Sequence, residues 1–183
     1  MNIQYKCELH MLDCVDSTNN YVRNLDSFSV PQIVIAREQT KGKGTNGRSF
    51  CSNKDKGIYI SIAFSPKDGI LLEGSSLDFT TEVGKTVASV LSKYSNDTPY
   101  TKPINDVYIN GKKVAGILTE ADTIGTNKFS KVIIGIGINL FKQDFPDEIK
   151  DIAGYIENPT YSFTKEDVLE DLINRIFSEY IVK

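Results

Sequence analysis

Three clusters in this sequence have the residue types and spacing to do chemistry. The first is Gly42-Lys43-Gly44-Thr45-Asn46-Gly47-Arg48-Ser49. Glycine lets a ligand approach the backbone closely, and successive amides can cradle an anion. Lys41, Lys43 and Arg48 add positive charge. The run formally matches the GxGxxG dinucleotide pattern and nearly matches GxxxxGK[ST], with Arg48 in the lysine position. Both patterns need a helix directly after the glycines, because its N-terminal amides hold the phosphates. Here Phe50 to Gly57 follows with no amphipathic helix in it, so both matches are rejected. Two readings are left: an anion-binding loop without a helix terminus, or a surface loop whose glycines serve only turns.

The second cluster is a hairpin. Asp106 to Ile109 and Lys112 to Leu118 flank Asn110-Gly111, the preferred pair for a tight type I′ turn. Period-two alternation from that turn sets Lys102, Asp106 and Lys113 on one face. Val107, Ile109, Val114, Gly116 and Leu118 fall on the other, as a core face. Two cations beside a carboxylate suit a phosphate, with the carboxylate holding Mg²⁺ or receiving a proton. An ordinary solvated sheet face fits the same pattern. The third cluster is Gly135-Ile136-Gly137-Ile138-Asn139. It bares one face of a strand, for a ligand or for tight packing, and Asn139 continues that face with an amide.

These clusters need elements to position them. His10 to Val15, Gln32 to Ala36, Gly57 to Phe64 and Lys131 to Leu140 read as strands. Possible N-caps in Asp16-Ser17-Thr18-Asn19 start a helix running to about Leu25. Phe79, Val83, Val87, Val90, Leu91 and Tyr94 share one helical face. A short helix is expected over Pro146 to Ile156, with proline at its first position. A long one is expected over Thr164 to Val182, with a capping box at Thr164 and Asp167. Strands crowd the first three quarters of the chain, which points to α+β with a mixed, largely antiparallel sheet flanked by helices.

Composition narrows the function. The 183 residues carry 21 basic and 24 acidic side chains, a net charge of −3. That gives no basic excess for nonspecific nucleic-acid binding. No apolar stretch spans a bilayer, and the first residues lack an apolar signal core. Cys7, Cys14 and Cys51 form no CxxC pair and read as reduced thiols of a cytoplasmic protein. The lone His10 argues against a multi-histidine metal centre.

Four segments together resemble the biotin protein ligases. They are Asp16-Ser17-Thr18-Asn19; Glu38-Gln39-Thr40 leading into Gly42 to Arg48; Lys102-Pro103-Ile104-Asn105-Asp106 with Gly111 to Leu118; and Gly135 to Asn139. They stand in the family's order, and the likeness runs from about residue 10 to the end. It implies a class II aminoacyl-tRNA synthetase-like catalytic domain over 1–183. It also implies neither the N-terminal helix-turn-helix nor the C-terminal SH3-like domain that relatives carry, and hence no DNA partner. The implied activity is ATP-dependent conversion of biotin to biotinyl-5′-adenylate, then transfer to one lysine of a biotin carboxyl carrier domain of acetyl-CoA carboxylase or a related carboxylase. Homodimerisation, common in the family, is among the assemblies it allows, and no membrane is involved.

The resemblance also implies roles. Ser17, Thr18, Asn19 and Gln39 bind the biotin head; Gly42, Lys43 and Gly44 cover the adenylate. Gly116, Leu118, Gly135 and Gly137 wall the biotin. Arg48 meets the phosphates, Phe50 stacks on adenine where relatives often have tryptophan, and Asn139 contacts the adenine end. Lys102, Asn105 and Asp106 serve the nucleotide, with Asp106 for Mg²⁺. Lys113 bridges biotin carboxylate and α-phosphate, so Lys113, Arg48 and Asp106 form the catalytic group. Two departures stand out. Pro103-Ile104 replaces tryptophan-proline, and Thr45 replaces an arginine of the glycine loop. A lipoate or octanoate enzyme of the same fold and a noncatalytic biotin- or nucleotide-binding module are the competing readings. Gln39, Ser17 and Thr18 suit a ureido ring better than an alkyl chain, and Lys113 with Asp106 argues for catalysis.

Overall fold

The computed structural model describes residues 1–25, 28–66, 76–103, 105–124, 128–156, 160 and 162–182. Ile104 of the third segment therefore lies outside the described residues. The elements are β1 (Glu8–Leu12), α1 (Thr18–Arg23), β2 (Gln32–Ala36), β3 (Gly57–Phe64), α2 (Ser76–Leu91), β4 (Tyr100–Lys102), β5 (Asp106–Ile109), β6 (Lys112–Ile124), β7 (Lys128–Asn139) and α3 (Lys165–Ile176). They build one seven-stranded sheet in the order β1-β2-β3-β7-β6-β5-β4. Only β1 and β2 run parallel; the other neighbours are antiparallel. This is the mixed, largely antiparallel α+β architecture the sequence pattern implies.

Alternation divides the strands between two faces. Ile58, Ile60 and Ile62 of β3 lie opposite Ile138, Ile136 and Ile134 of β7, and all are buried in the main core. Phe79, Val83, Val87, Val90 and Leu91 of α2 and Val168, Leu169, Leu172, Ile173 and Ile176 of α3 cover that face. Each such side chain withdrawn from water contributes roughly 1.5–3 kcal/mol. On the opposite face a smaller cluster holds α1, with Val22 packed on Val34, Ala63 and Ile133. The rest of that face is free for a cavity.

Local signals account for several boundaries. Asn110 and Gly111 adopt φ of 50° and 76°, the left-handed pair a type I′ turn requires. Thr164 Oγ1 accepts from the Asp167 amide at 3.2 Å while Asp167 Oδ2 accepts from the Thr164 amide at 2.8 Å. That reciprocal pair caps α3.

Four expectations change. The first strand spans Glu8–Leu12, ending before Val15, which makes only an isolated parallel bridge to Gln39. The last helix loosens into a π-helical turn at Phe177–Ile181. Pro146 to Ile156 is not a helix but two successive turns, closed by Ile149 and Lys150 amides on Pro146 O and by Ile152 and Ala153 amides on Ile149 O. Backbone bonds to Lys113 then hold this segment against β6 and break the helical register.

The fourth change concerns the hairpin faces. Tyr108 pairs with Lys113 but Val107 pairs with Ala115, so a bulge inserts Val114. Beyond it the alternation reverses. Asp106 now faces Gly116, while Val107, Val114, Ala115 and Ile117 are buried in the main core. Gly116 and Leu118 leave the expected core face and join Asp106 and Lys113.

Candidate functional site

A cavity of about 220 Å³ lies on the sheet face that α1 leaves uncovered. Its floor is the bare face of β7 and β6, its roof the glycine loop, and its far wall the turns before Ala153.

The glycine loop is a small hairpin. Gly44 N–H donates to Arg48 O at 2.7 Å and Phe50 N–H to Gly42 O at 2.9 Å. A single 3-10 turn, Thr45–Gly47, forms its tip, with Gly47 at φ 73°. No helix follows it, in line with rejection of the two phosphate-loop patterns. Lys43, Gly44, Thr45, Arg48, Ser49, Phe50 and Cys51 all line the cavity.

One end of the cavity is polar and buried. Ser17, Thr18 and Asn19 are 1%, 3% and 4% exposed. Ser17 starts α1 without a side-chain cap bond. Gln39 Oε1 accepts from the Thr18 amide at 2.8 Å, and its Nε2 donates to Ser52 Oγ at 2.8 Å. Gly135 makes room for this cluster, since a Cβ there would stand 2.1 Å from Asn19 Oδ1.

The other end carries charge. Lys113 Nζ lies 2.7 Å from Asp106 Oδ1. Gly116 gives that lysine its path, for a Cβ there would meet Lys113 Cε and Nζ at 3.3 Å. Asn105 Nδ2 donates to Ile117 O at 3.0 Å and reaches Thr45 Oγ1 at 3.4 Å, tying the loop tip to the hairpin. Burial pushes the Tyr108 hydroxyl above the usual phenol range, with Asp106 and Tyr100 adding to the rise and Arg48 opposing it. Burial likewise raises the Cys51 thiol, keeping it protonated. Phe50 adjoins the cationic end, since a Cβ on Gly116 would meet its Cδ2 at 3.5 Å as well as Lys113. Its ring lies on Gly137, where a Cβ would meet it at 2.6 Å, and edge-on to Tyr59 at 6.5 Å.

Ser17, Thr18, Asn19, Gln39, Lys43, Gly44, Arg48, Phe50, Asn105, Asp106, Lys113, Gly116, Leu118, Gly135, Gly137 and Asn139 thus meet around one cavity. Two sequence-picked residues do not line it. Gly42 is packed behind the loop, where a Cβ would meet Phe50 O at 2.5 Å and Ser52 Oγ at 2.7 Å. Lys102 is exposed, with Nζ 4.1 Å above the Tyr108 ring. Sequence reasoning missed Phe145, Ile149 and Ile152, the apolar wall facing Asn139. Their i, i+4, i+7 spacing marked an apolar face but not what it faces. Asn139 is 4% exposed; its Nδ2 donates to Gly154 O at 2.9 Å, and its Oδ1 is buried without a partner.

Among the described residues no cluster of three His, Cys, Asp or Glu side chains could hold a metal, and no helix is long and apolar enough to cross a membrane. Asp106 is the carboxylate lining the cavity beside the lysine, which suits an ion shared with substrate phosphates rather than caged by protein.

Residues 11–139 match the family model for the biotin/lipoate A/B protein ligase family. The bifunctional ligase/repressor BirA of Bacillus spizizenii is 37% identical over 145 residues, covering 77% of this chain and 43% of that protein. The BirA of Escherichia coli is 30% identical over 131 residues, covering 71% and 40%. The chain thus spans less than half the length of these relatives. A biotin protein ligase from Aquifex aeolicus, solved with biotin and ATP, superposes with a TM-score of 0.76 at 32% identity, over 93% of this chain and 69% of that one. A lipoate protein ligase from Thermoplasma acidophilum shares the fold at a TM-score of 0.60 and 10% identity.

Proposed function

This chain belongs to the biotin/lipoate A/B protein ligase family, and we propose that its cavity activates biotin with ATP and passes it to a protein lysine. The observation that carries this reading is the division of one cavity into a buried polar end and a cationic end. Biotin has the same division: a ureido ring at one end and a reacting carboxylate at the other.

In the first step a biotin carboxylate oxygen attacks the α-phosphorus of ATP. The bond to the β-phosphate oxygen breaks and pyrophosphate leaves. Lys113 stands where one ammonium can hold both reacting anions, and Arg48 adds charge for the phosphates. Such preorganised cations are worth most where water is excluded. Asp106, with Asn105 beside it, would hold Mg²⁺ together with substrate phosphates. That ion would offset the charge developing on the leaving pyrophosphate. The aromatic ring of Phe50 and the wall of Phe145, Ile149 and Ile152 suit the faces of adenine. The unpartnered Asn139 Oδ1 suits its exocyclic amine. In the second step the acceptor lysine amine attacks the acyl carbon, the bond to AMP breaks, and an amide forms. Lys43 and Gly44 cover the adenylate meanwhile. Lys102 serves at the mouth rather than inside, and Gly42 shapes the loop from behind.

The acceptor in this reading is a biotin carboxyl carrier domain of acetyl-CoA carboxylase or a related carboxylase. The three unpaired thiols suit the reducing cytoplasm. A lipoate or octanoate enzyme is the weaker reading, because Ser17, Thr18, Asn19 and Gln39 would set polar groups against an alkyl chain. The test is pyrophosphate release with ATP, Mg²⁺ and either biotin or lipoate. Release with biotin alone is expected; release with neither acid overturns the enzyme reading.

A further inference from the structure

The ion pair of the cavity joins two groups that the proposed reaction uses separately. Lys113 Nζ lies 2.7 Å from Asp106 Oδ1, with the two side chains 27% and 18% exposed. The register sets Asp106 beside Gly116, and Lys113 passes over that glycine to reach it. The contact is one of charge alone, for Asp106 Oδ1 is buried and accepts no directed hydrogen bond. A buried acceptor in that state is costly, which fits a group that exchanges partners. Lys43 and Arg48 also line the cavity, and among the described residues neither makes an ion pair. The carboxylate thus neutralises one particular cation, the one placed to meet a substrate carboxylate, and leaves the others for phosphates.

An ammonium already facing an anion attracts a second anion less strongly. We propose that Asp106 is a resident competitor for Lys113, holding the lysine until a substrate carboxylate displaces it or shares the ammonium with it. The inference rests on the biotin reading, which supplies that carboxylate. Its consequence is a link between the two substrates. Drawing Lys113 toward biotin frees Asp106 for the cation that accompanies the phosphates, so one contact holds both groups in reserve. Its removal should therefore act against the usual direction for a site residue: biotin by itself should bind better without Asp106.

Isothermal titration calorimetry reads this without turnover. The probes are biotin and biotinol, the alcohol that keeps the ureido ring and lacks the carboxylate. Asp106→Asn keeps the shape of the side chain and removes its charge. Biotin should bind about fivefold tighter to that variant than to wild type, the scale of one partly exposed ion pair. Biotinol should stay within about twofold of wild type, because it brings no charge to the lysine. Asp106→Glu, which keeps the charge, should not tighten biotin. A biotin affinity unchanged or weakened in Asp106→Asn overturns the proposal, as does tightening in Asp106→Glu. Equal tightening of biotinol overturns it too, since the effect would then lie in cavity shape rather than charge. Loss of both probes in Asp106→Asn does the same, by making the pair part of the fold. Wild-type protein that binds neither probe overturns the biotin reading and this one with it, and shows before any variant is compared.

Discussion

The two faces of the central sheet are made by the same strands and behave as different materials. On β3 and β7, Ile58, Ile60 and Ile62 meet Ile138, Ile136 and Ile134 under the helices. Between them, Tyr59 pairs with Gly137 and Ser61 with Gly135 on the cavity side. One face is filled by branched side chains. The other is defined by the side chains it lacks: Gly116, Gly135 and Gly137 each hold space that Lys113, Asn19 or Phe50 enters. Alternation lets one strand stabilise the fold and shape the site, with little cross-talk between the two tasks. The comparison can be broken by a variant on one face that produces the other face's effect.

The largest effect is expected from Lys113→Ala. If Lys113 holds both reacting anions as proposed, losing its ammonium should slow adenylate formation by about 10²–10³-fold, the range for removal of one preorganised donor. The Lys113–Asp106 pair is partly exposed, so stability should change by about 1 kcal/mol or less. Single-turnover kinetics and thermal unfolding read the two quantities separately. An equal loss in both would show that the cavity face also carries the fold.

Ile60→Ala is the converse. Ile60 is fully buried in the main core, and truncation should cost about 2–5 kcal/mol. Activity per folded molecule should stay near wild type. Chemical denaturation with active-site titration checks it; a specific loss of turnover would mean that the two faces communicate.

Gly137→Ala sharpens the boundary by adding one methyl. The new Cβ would stand 2.6 Å from the Phe50 ring, which must shift. Overpacking of this kind costs about 1–3 kcal/mol. Because Phe50 lines the cavity beside Lys113, KM for ATP and for biotin should both rise. Ile136→Val, one residue away on the dry face, should cost about 1 kcal/mol of stability and leave both KM values alone. Steady-state kinetics on the pair decides it.

The same two faces explain what could be read from the chain. β2 and β3 run over Gln32–Ala36 and Gly57–Phe64 as the sequence pattern implies, because burial on both sides leaves uninterrupted apolar runs bounded by turn residues. The glycine alternation of β7 was legible for a related reason: isoleucine and glycine differ enough to mark the faces. The β5–β6 hairpin was not. Val114-Ala115-Gly116-Ile117-Leu118 has no polar residue to say which face is wet, so the inserted Val114 leaves no trace in the pattern. The segment from Phe145 to Ile152 misled for a different reason. Its apolar residues repeat at helical spacing, yet they face the cavity, and backbone bonds to Lys113 hold it in turns. Those partners are far apart in sequence, and no local preference encodes them.

Thr45 carries the smallest effect. It sits at the tip of the glycine loop, in the turn Thr45–Gly47, at the edge of the cavity. Among the described residues its tie to the hairpin is the 3.4 Å contact with Asn105 Nδ2, too long to hold the tip firmly. The cations near it, Lys43 and Arg48, flank the tip rather than occupy it. If biotinyl-adenylate forms here, the loop closes over it with little charge at its apex. Thr45→Arg should add an attraction to the adenylate phosphate worth about 1 kcal/mol at a partly exposed position. That corresponds to release slowed by about fivefold. The chemistry beneath should not change, since Lys113 and Asp106 belong to the sheet and Thr45 to the loop above it. Rapid-quench measurement of adenylate formation, followed by dilution and release, separates the two steps. Release no slower than in the native protein would mean that retention is governed by the sheet face and the apolar wall, with the loop charge irrelevant.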